Sequence, residues 1–215
     1  MGAFASGPAG YGVLLRNATN VRFDSLTITD AKKGVVLDGS NGITFADSRF
    51  TRYGEDGIIA SKSVRVTVIR SHFGEVIGKP TSCTIGGTVV QGLSGRDCQT
   101  RGGRWTDGFH NDAIQMRNGM ADVLIEGNTV NGVTQGLTQM DTKGDAPLQR
   151  VVIRGNTVRT DGYHQITLGN CIGCLITGNI VARSPGSTKK AIIRPGQAIE
   201  CGNMVQDGRS IGCAR

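Results

Sequence analysis

Aromatic side chains are scarce, at 5% of 215 residues, and the single tryptophan and three tyrosines do not interleave with a basic stripe. No run of five or more Lys or Arg occurs either, so a nucleic-acid partner is disfavoured although the formal charge is +7. That charge still favours anionic partners in general, an acidic polysaccharide among them. No window of 18 apolar residues exists, which excludes a membrane-spanning helix. The segment Met1 to Pro8 has neither a basic start nor a long apolar stretch, so it does not read as a signal peptide. No segment carries a 3.6-residue apolar stripe over eleven residues, which argues against amphipathic helices.

Glycine is abundant, at 33 residues, and there are six cysteines. An even cysteine count points to disulfides and an oxidising compartment, hence to a secreted or periplasmic protein. Cys171 and Cys174 have the two-residue gap of a zinc or redox motif. No second such pair follows, and the surrounding pattern is strand-like, so neither motif is complete. Pairing of Cys83 with Cys98 and of Cys201 with Cys213 fits the spacing, while Cys174 falls at an inward strand position and is expected in the core.

A repeat organises the chain. It reads apolar, any, apolar, two residues, then Ser or Asn, any, apolar. Copies run Val66 to Phe73 with Ser71, Val123 to Val130 with Asn128, Val151 to Val158 with Asn156, and Cys174 to Val181 with Asn179. An earlier copy has Ser48, the first has Leu26 at that position, and a frayed last copy surrounds Asn203. A short strand precedes each copy, and the regular period is 22 to 23 residues. A unit this short cannot bury its own apolar face, so the units must stack. Stacked parallel strands about 4.8 Å apart form a solenoid. Buried Asn128, Asn156 and Asn179 would then bond rung to rung, because an unpaired buried amide is costly. A leucine-rich horseshoe has a similar period but needs more leucine.

These repeats resemble those of the right-handed parallel β-helix proteins of the pectate-lyase-like superfamily, over residues 10–205. The resemblance implies an all-β, single-stranded right-handed solenoid of about seven rungs with a Ser/Asn ladder. It also implies a carbohydrate-related function, within a superfamily of polysaccharide lyases, hydrolases, uronate epimerases, tailspikes and adhesins. Residues 1–215 are expected to form one such domain, with a long insertion at about 75–110, a shorter one at about 140–149 and a C-terminal cap at about 196–215.

The insertions stand out in the strand intervals. Gly12 to Gly34 is 22 residues and Gly34 to Gly57 is 23, whereas Gly57 to Ala113 is 56. The excess precedes the first strand of the fourth rung and carries Cys83, Cys98, Arg96, Arg101 and Arg104, which suggests a cross-linked basic loop. A second excess, around Met140 to Pro147, follows the first strand of the next rung. Both flank the same sheet, and long loops in compact folds are commonly functional. The outward position of that sheet runs Leu14, Val36, Ile59, then Gln115, Thr138, Thr167, then Ile193. A second column runs Tyr11, Lys33, Asp56, Asp112, Gln135, His164, Lys190. Polar, proton-active groups gather on the rungs that the insertions border.

The stretch from Trp105 to Arg117 holds Asp107, His110, Asp112, Gln115 and Arg117. Its His-any-Asp-any-Ile-Gln core resembles a stretch common in bacterial β-helix proteins taken to act on polysaccharides. The resemblance stops short of two well-known groups. The Asn-Thr-Asp, Asp-Asp and Gly-His-Gly patterns of pectin hydrolases and the Arg-any-Pro-any-any-Arg of pectate lyases do not occur. A lyase on a uronate polymer must neutralise the carboxylate, abstract the C5 proton and protonate the leaving oxygen. His164 or Lys143 is the expected base, Arg117 the carboxylate partner, and His110 and Asp112 the orienting or relaying groups. Asp56, Trp105, Asp107, Gln115, Gln135, Thr138, Asp141 and Thr167 are the expected sugar-binding residues. No cofactor is expected; Ca2+ on Asp56, Asp112 and Asp141 is the weaker alternative. Hydrolysis by Asp112 with Asp56 or Asp141, epimerisation, and a non-catalytic glycan-binding module are the competing readings.

Overall fold

The computed structural model describes residues 3–5, 10–77, 82–90, 95–106, 111–132, 134–139, 143–162, 164–185, 190–206, 208, 210–211 and 213. Residues 3–5, 82, 95–96, 105–106 and 210–211 are described at the backbone alone.

Three sheets run along the chain. The first has seven parallel strands, one per rung: Tyr11–Arg16, Lys33–Asp38, Ile58–Ser61, Asp112–Arg117, Gln135–Gln139, Ile166–Leu168 and Ile193–Arg194. The second pairs Thr19–Asp24, Asn41–Ala46, Val64–Ile69, Ala121–Glu126, Leu148–Arg154, Leu175–Thr177 and Ile199–Cys201, with Cys171–Ile172 also beside Leu148–Arg154. The third begins at Ala3–Ala5 and passes through Arg49–Thr51, His72–Gly74 and Thr129–Gly132 to Asn203–Val205. An antiparallel strand, Ser210–Ile211, ends it. Each rung thus contributes one strand to each sheet, which is a parallel β-helix.

The repeat explains this three-sided path. Its apolar halves lie in different sheets, with a corner at the Ser or Asn between them. The residue before that corner is left-handed in every rung: Ser25, Asp47 and Arg70 have φ of 55°, 52° and 47°, and Gly127, Gly155 and Gly178 about 63°. The later rungs place glycine where an L side chain would be strained. At the other end of the unit, four rungs place a glycine at the start of the first-sheet strand, Gly12, Gly34, Gly57 and Gly136, for lack of space. A Cβ on Gly57 would lie 2.6 Å from the Ala113 carbonyl and 2.7 Å from the Phe73 ring.

The core is one continuous apolar bore. Val35, Ile58, Ile114, Leu137 and Ile166 enter from the first sheet, Ile43, Val66, Val123, Val151 and Ile176 from the second, and Phe50, Phe73, Val130, Val158 and Val181 from the third. Phe50 stacks on Phe73 with centroids 4.7 Å apart, and Phe23 on Phe45 at 5.1 Å. The corner ladder forms as expected. The Asn128 amide nitrogens, backbone and side chain, donate to Asn156 Oδ1 at 2.9 and 3.0 Å. Asn156 does the same to Asn179, and Asn179 to Asn203, each bond 2.9 Å. A second, shorter ladder at the opposite corner, Ala18 to Ser40 to Ser63, has no counterpart in the repeat pattern.

Three disulfides join Cys83 to Cys98, Cys171 to Cys174 and Cys201 to Cys213. Cys174 does lie in the core, but as one half of a cross-link rather than as a free thiol. Its Sγ also accepts the Val151 amide at 3.3 Å. Among the described residues, no helix is long and apolar enough to cross a membrane.

Candidate functional site

The insertion before the fourth rung is built, not loose. Ser82–Ile85 pairs antiparallel with Thr88–Val90 and with Arg104–Thr106, and a one-and-a-half-turn helix, Gly95–Thr100, packs beside them. The Cys83–Cys98 disulfide fastens that helix to the central strand. Arg101 and Arg104 are exposed on this insert. The Trp105 backbone pairs with Cys83, and its side chain is outside the described residues, as are Asp107 and His110 in full.

The second insertion folds back by one rung. Gly119 N–H donates to the Ala146 carbonyl at 2.9 Å, and Asp145 Oδ2 accepts from Arg117 Nε and from the Asn118 amide, each at 3.3 Å. Asp145 is nearly buried, so Arg117 clamps this loop against the end of its own strand. Lys143 is exposed on the loop, and Asp141 lies outside the described residues.

Between the insertions lies the polar column. Register pairing puts Gln115 between Ile59 and Thr138, and Thr138 beside Thr167. Asp112 is the centre of this group and is fully buried. Its Oδ1 accepts the Thr138 hydroxyl at 2.6 Å and its Oδ2 the Gln115 amide at 3.3 Å. One rung towards the N-terminus, Asp56 Oδ1 accepts the Asp112 amide at 3.4 Å while Lys33 Nζ stands 3.5 Å from its Oδ2. Burial raises the Asp56 carboxyl to about 6, despite the lowering influence of Lys33. Two rungs the other way, His164 Nδ1 lies 3.1 Å from Thr167 Oγ1. Gln135 pairs with Asp112 in register, and its Oε1 is buried without a hydrogen-bond donor among the described residues.

The sequence pattern therefore brings Asp56, Asp112, Gln115, Gln135, Thr138, His164 and Thr167 together on four successive rungs. It places Arg117 and Lys143 at the flank, with Arg117 already bound to Asp145. Both Asp112 oxygens and both Asp56 oxygens meet protein donors or the Lys33 ammonium. No group of three metal-ligating side chains forms among the described residues.

The last rung differs from the expected register. Ile193 pairs with Ile166 and packs against the core, and Arg194 pairs with Thr167. The outward position there is Arg194, not Ile193, and Lys190 drops out of the second column. The run Ala191-Ile192-Ile193 offers two frames for an inward apolar residue, and pattern alone does not choose between them. Three supporting residues were also missed. Tyr53, fully buried, donates its hydroxyl to Thr134 Oγ1 at 3.4 Å, and Thr134 donates to the Asn111 carbonyl at 2.7 Å, fixing the entry to Asp112. Burial pushes the Tyr53 hydroxyl well above its ordinary range, with the Asp112 and Asp56 charges acting in the same direction. Arg183 donates to the carbonyls of Gly162 and Lys190, holding the segment before His164. An arginine in an apolar-looking copy of the repeat was the available signal.

Residues 5–85 match the family model described as a right handed beta helix region. With the three-sheet topology, this gives the chain the fold of a right-handed parallel β-helix. No curated protein matches it in sequence. Among solved structures, an alginate lyase from Paenibacillus sp. str. FPU-7 is similar, with 13% identity, a TM-score of 0.37, and coverage of 94% of this chain and 79% of that one. At that identity the reaction of the lyase does not transfer.

Proposed function

We propose that the polar column of the first sheet binds an acidic, uronate-containing polysaccharide and that the chain cleaves it by β-elimination. The observation that carries this reading is the linked set Gln115–Asp112–Thr138 with His164–Thr167 beside it. It is a preorganised, largely buried hydrogen-bonded set on neighbouring rungs, between two insertions. Three disulfides suit a secreted or periplasmic protein that meets such a polymer outside the cytoplasm.

The chemistry follows from what these groups can do. In the tautomer whose Nδ1–H donates to Thr167, the His164 ring carries its lone pair at Nε2. That atom takes the C5 proton, the C5–H electron pair becomes the C4=C5 double bond as the C4–O bond breaks, and the leaving oxygen takes a proton from the imidazolium or from water. Lys143 on the second insertion is the alternative base. Asp112 acts through its neighbours: it fixes the Thr138 hydroxyl and the Gln115 amide, which brace the strand beside Thr167 and so hold His164, the half-buried member of the set.

Incubation with alginate, pectate and glucuronan, followed by ultraviolet absorbance of the unsaturated product, tests the proposal. Absorbance should rise on one of them, and fall to background in His164→Ala. New reducing ends without unsaturation would instead favour hydrolysis. Asp112 and Asp56 on neighbouring rungs, one of them a carboxyl raised to about 6, make that the second reading. Glycan binding with no product would leave a binding module.

A further inference from the structure

We infer that Arg194 is the residue that reads the carboxylate of the bound sugar, and so sets the preference for a charged over a neutral glycan. The inference rests on the proposed function and adds to it a residue, a position and a direction of approach.

Register supplies the position. Arg194 is the next outward residue after Thr167 in the column Gln115, Thr138, Thr167. The hydroxyl of Thr167 meets His164 Nδ1, and Arg194 leaves the strand one rung, about 4.8 Å, beyond that threonine. A β-elimination needs a cation near the carboxylate whose α-proton is removed, because charge develops there in the transition state.

Availability separates Arg194 from Arg117, the other arginine on the first-sheet strands of rungs four to seven. Arg49, Arg52, Arg70, Arg150 and Arg154 pair with acidic groups off this sheet. Arg117, on the first sheet, is bonded to Asp145, which already neutralises it. Arg194 is exposed, and no acidic side chain among the described residues pairs with it. An unpaired guanidinium is the one that can form a two-pronged bond to an incoming carboxylate without first losing a partner.

Burial supplies the direction. Along the column Thr138 is 0% exposed and Thr167 7%, and Arg194 is open. His164 is half-buried. The polar strip is therefore closed at the fourth and fifth rungs and open at the seventh, and a chain of sugars reaches His164 from the Arg194 end.

The test is equilibrium binding of mannuronate, guluronate, galacturonate and glucuronate tetramers, with their methyl esters as uncharged controls. All proteins carry His164→Ala to block turnover. With Arg194 intact, at least one acid tetramer should bind better than its ester. Arg194→Ala should weaken the acid tetramer by about 10- to 100-fold, leave the ester unchanged and leave the melting temperature in place. Arg194→Lys should recover part of the loss, since a point charge replaces the fork. Equal binding of the acid tetramer with and without Arg194 overturns this inference and leaves the proposed function standing. Failure of every acid tetramer to bind the Arg194-intact protein overturns both.

Discussion

Rungs one to three and rungs four to six share one sheet and one register, yet they treat its outer face in opposite ways. In the early rungs that face is apolar and open: Leu14 is 41% exposed, and Val36 and Ile59 are half-buried. In the later rungs it is polar and closed: Gln115, Thr138 and Thr167 are 7%, 0% and 7% exposed, and Asp112 between them is 0%. A protein optimised for stability alone would do the reverse, because burying a polar group costs free energy unless every bond is replaced. Here the replacement is specific, Asp112 taking one donor on each oxygen. The inversion begins at the rung where the long insertion ends, which is where the proposed site begins.

Asp112 is where this contrast breaks first. Asp112→Asn keeps the shape but loses the charge that orients Thr138 and Gln115. Turnover of the polymer should fall by about 10^2- to 10^4-fold, with a cooperative melt retained. Ile59→Asn, at the matching early-rung position next to Gln115, should leave turnover near wild type. Steady-state rates on the two variants check this; equal effects would remove the functional distinction between the halves.

The same division runs through the corner ladder. Ser48 donates to one carbonyl and accepts one amide. Asn156 accepts two donors from Asn128 and donates to Asn179 and to the Ile125 and Arg154 carbonyls. Truncating it orphans several buried groups at once. Asn156→Ala should cost roughly 3 to 5 kcal/mol and Ser48→Ala roughly 1 kcal/mol, read from denaturant unfolding.

Asp56 sits at the boundary of the two halves. Its folded-state carboxyl is raised to about 6 from an ordinary 3.8, chiefly by burial. The folded protein therefore binds more protons than the unfolded chain between those values. Its contribution is present below about pH 4 and is lost as pH rises through about 6, by roughly 2 to 3 kcal/mol at most. Asp30, Asp47 and Asp122, held below the ordinary range by their arginine partners, act in the opposite sense on acidification. The difference between wild type and Asp56→Asn isolates the Asp56 slope. As pH rises from 4 to 6 the wild type should lose stability relative to Asp56→Asn; a constant difference would mean that Asp56 titrates normally.

The solenoid was legible because its physics is periodic. Stacking repeats the inward residue, the corner Asn and the left-handed Gly before it at a near-constant interval, so seven weak signals add. The polar column was legible for the same reason up to Thr167. It failed at the seventh rung, where three consecutive apolar or small residues gave the frame no anchor and Ile193 was read as the outward residue in place of Arg194. Tyr53, Thr134 and Arg183 were out of reach for a different reason. Their partners lie on other rungs, 81 residues away for Tyr53 and Thr134, and such bonds leave no local mark. The Cys171–Cys174 cross-link escaped because an inward cysteine and an inward aliphatic residue look alike in a pattern of apolar positions.

The smallest predicted effect is the sharpest control on the comparison. Leu14 stands on the same outward column as Gln115 but on the first rung, with its side chain substantially exposed. Leu14→Thr should change stability by less than about 0.5 kcal/mol, since little apolar area returns to water. It should leave binding and turnover of an acidic glycan untouched, whereas Thr167→Leu, the reciprocal exchange in the later rungs, removes the His164 partner and should slow turnover. Parallel measurement of melting temperature and rate on both exchanges decides the point. If Leu14→Thr alters glycan affinity, the ligand extends across the early rungs, and the apolar strip belongs to the binding surface rather than standing outside it.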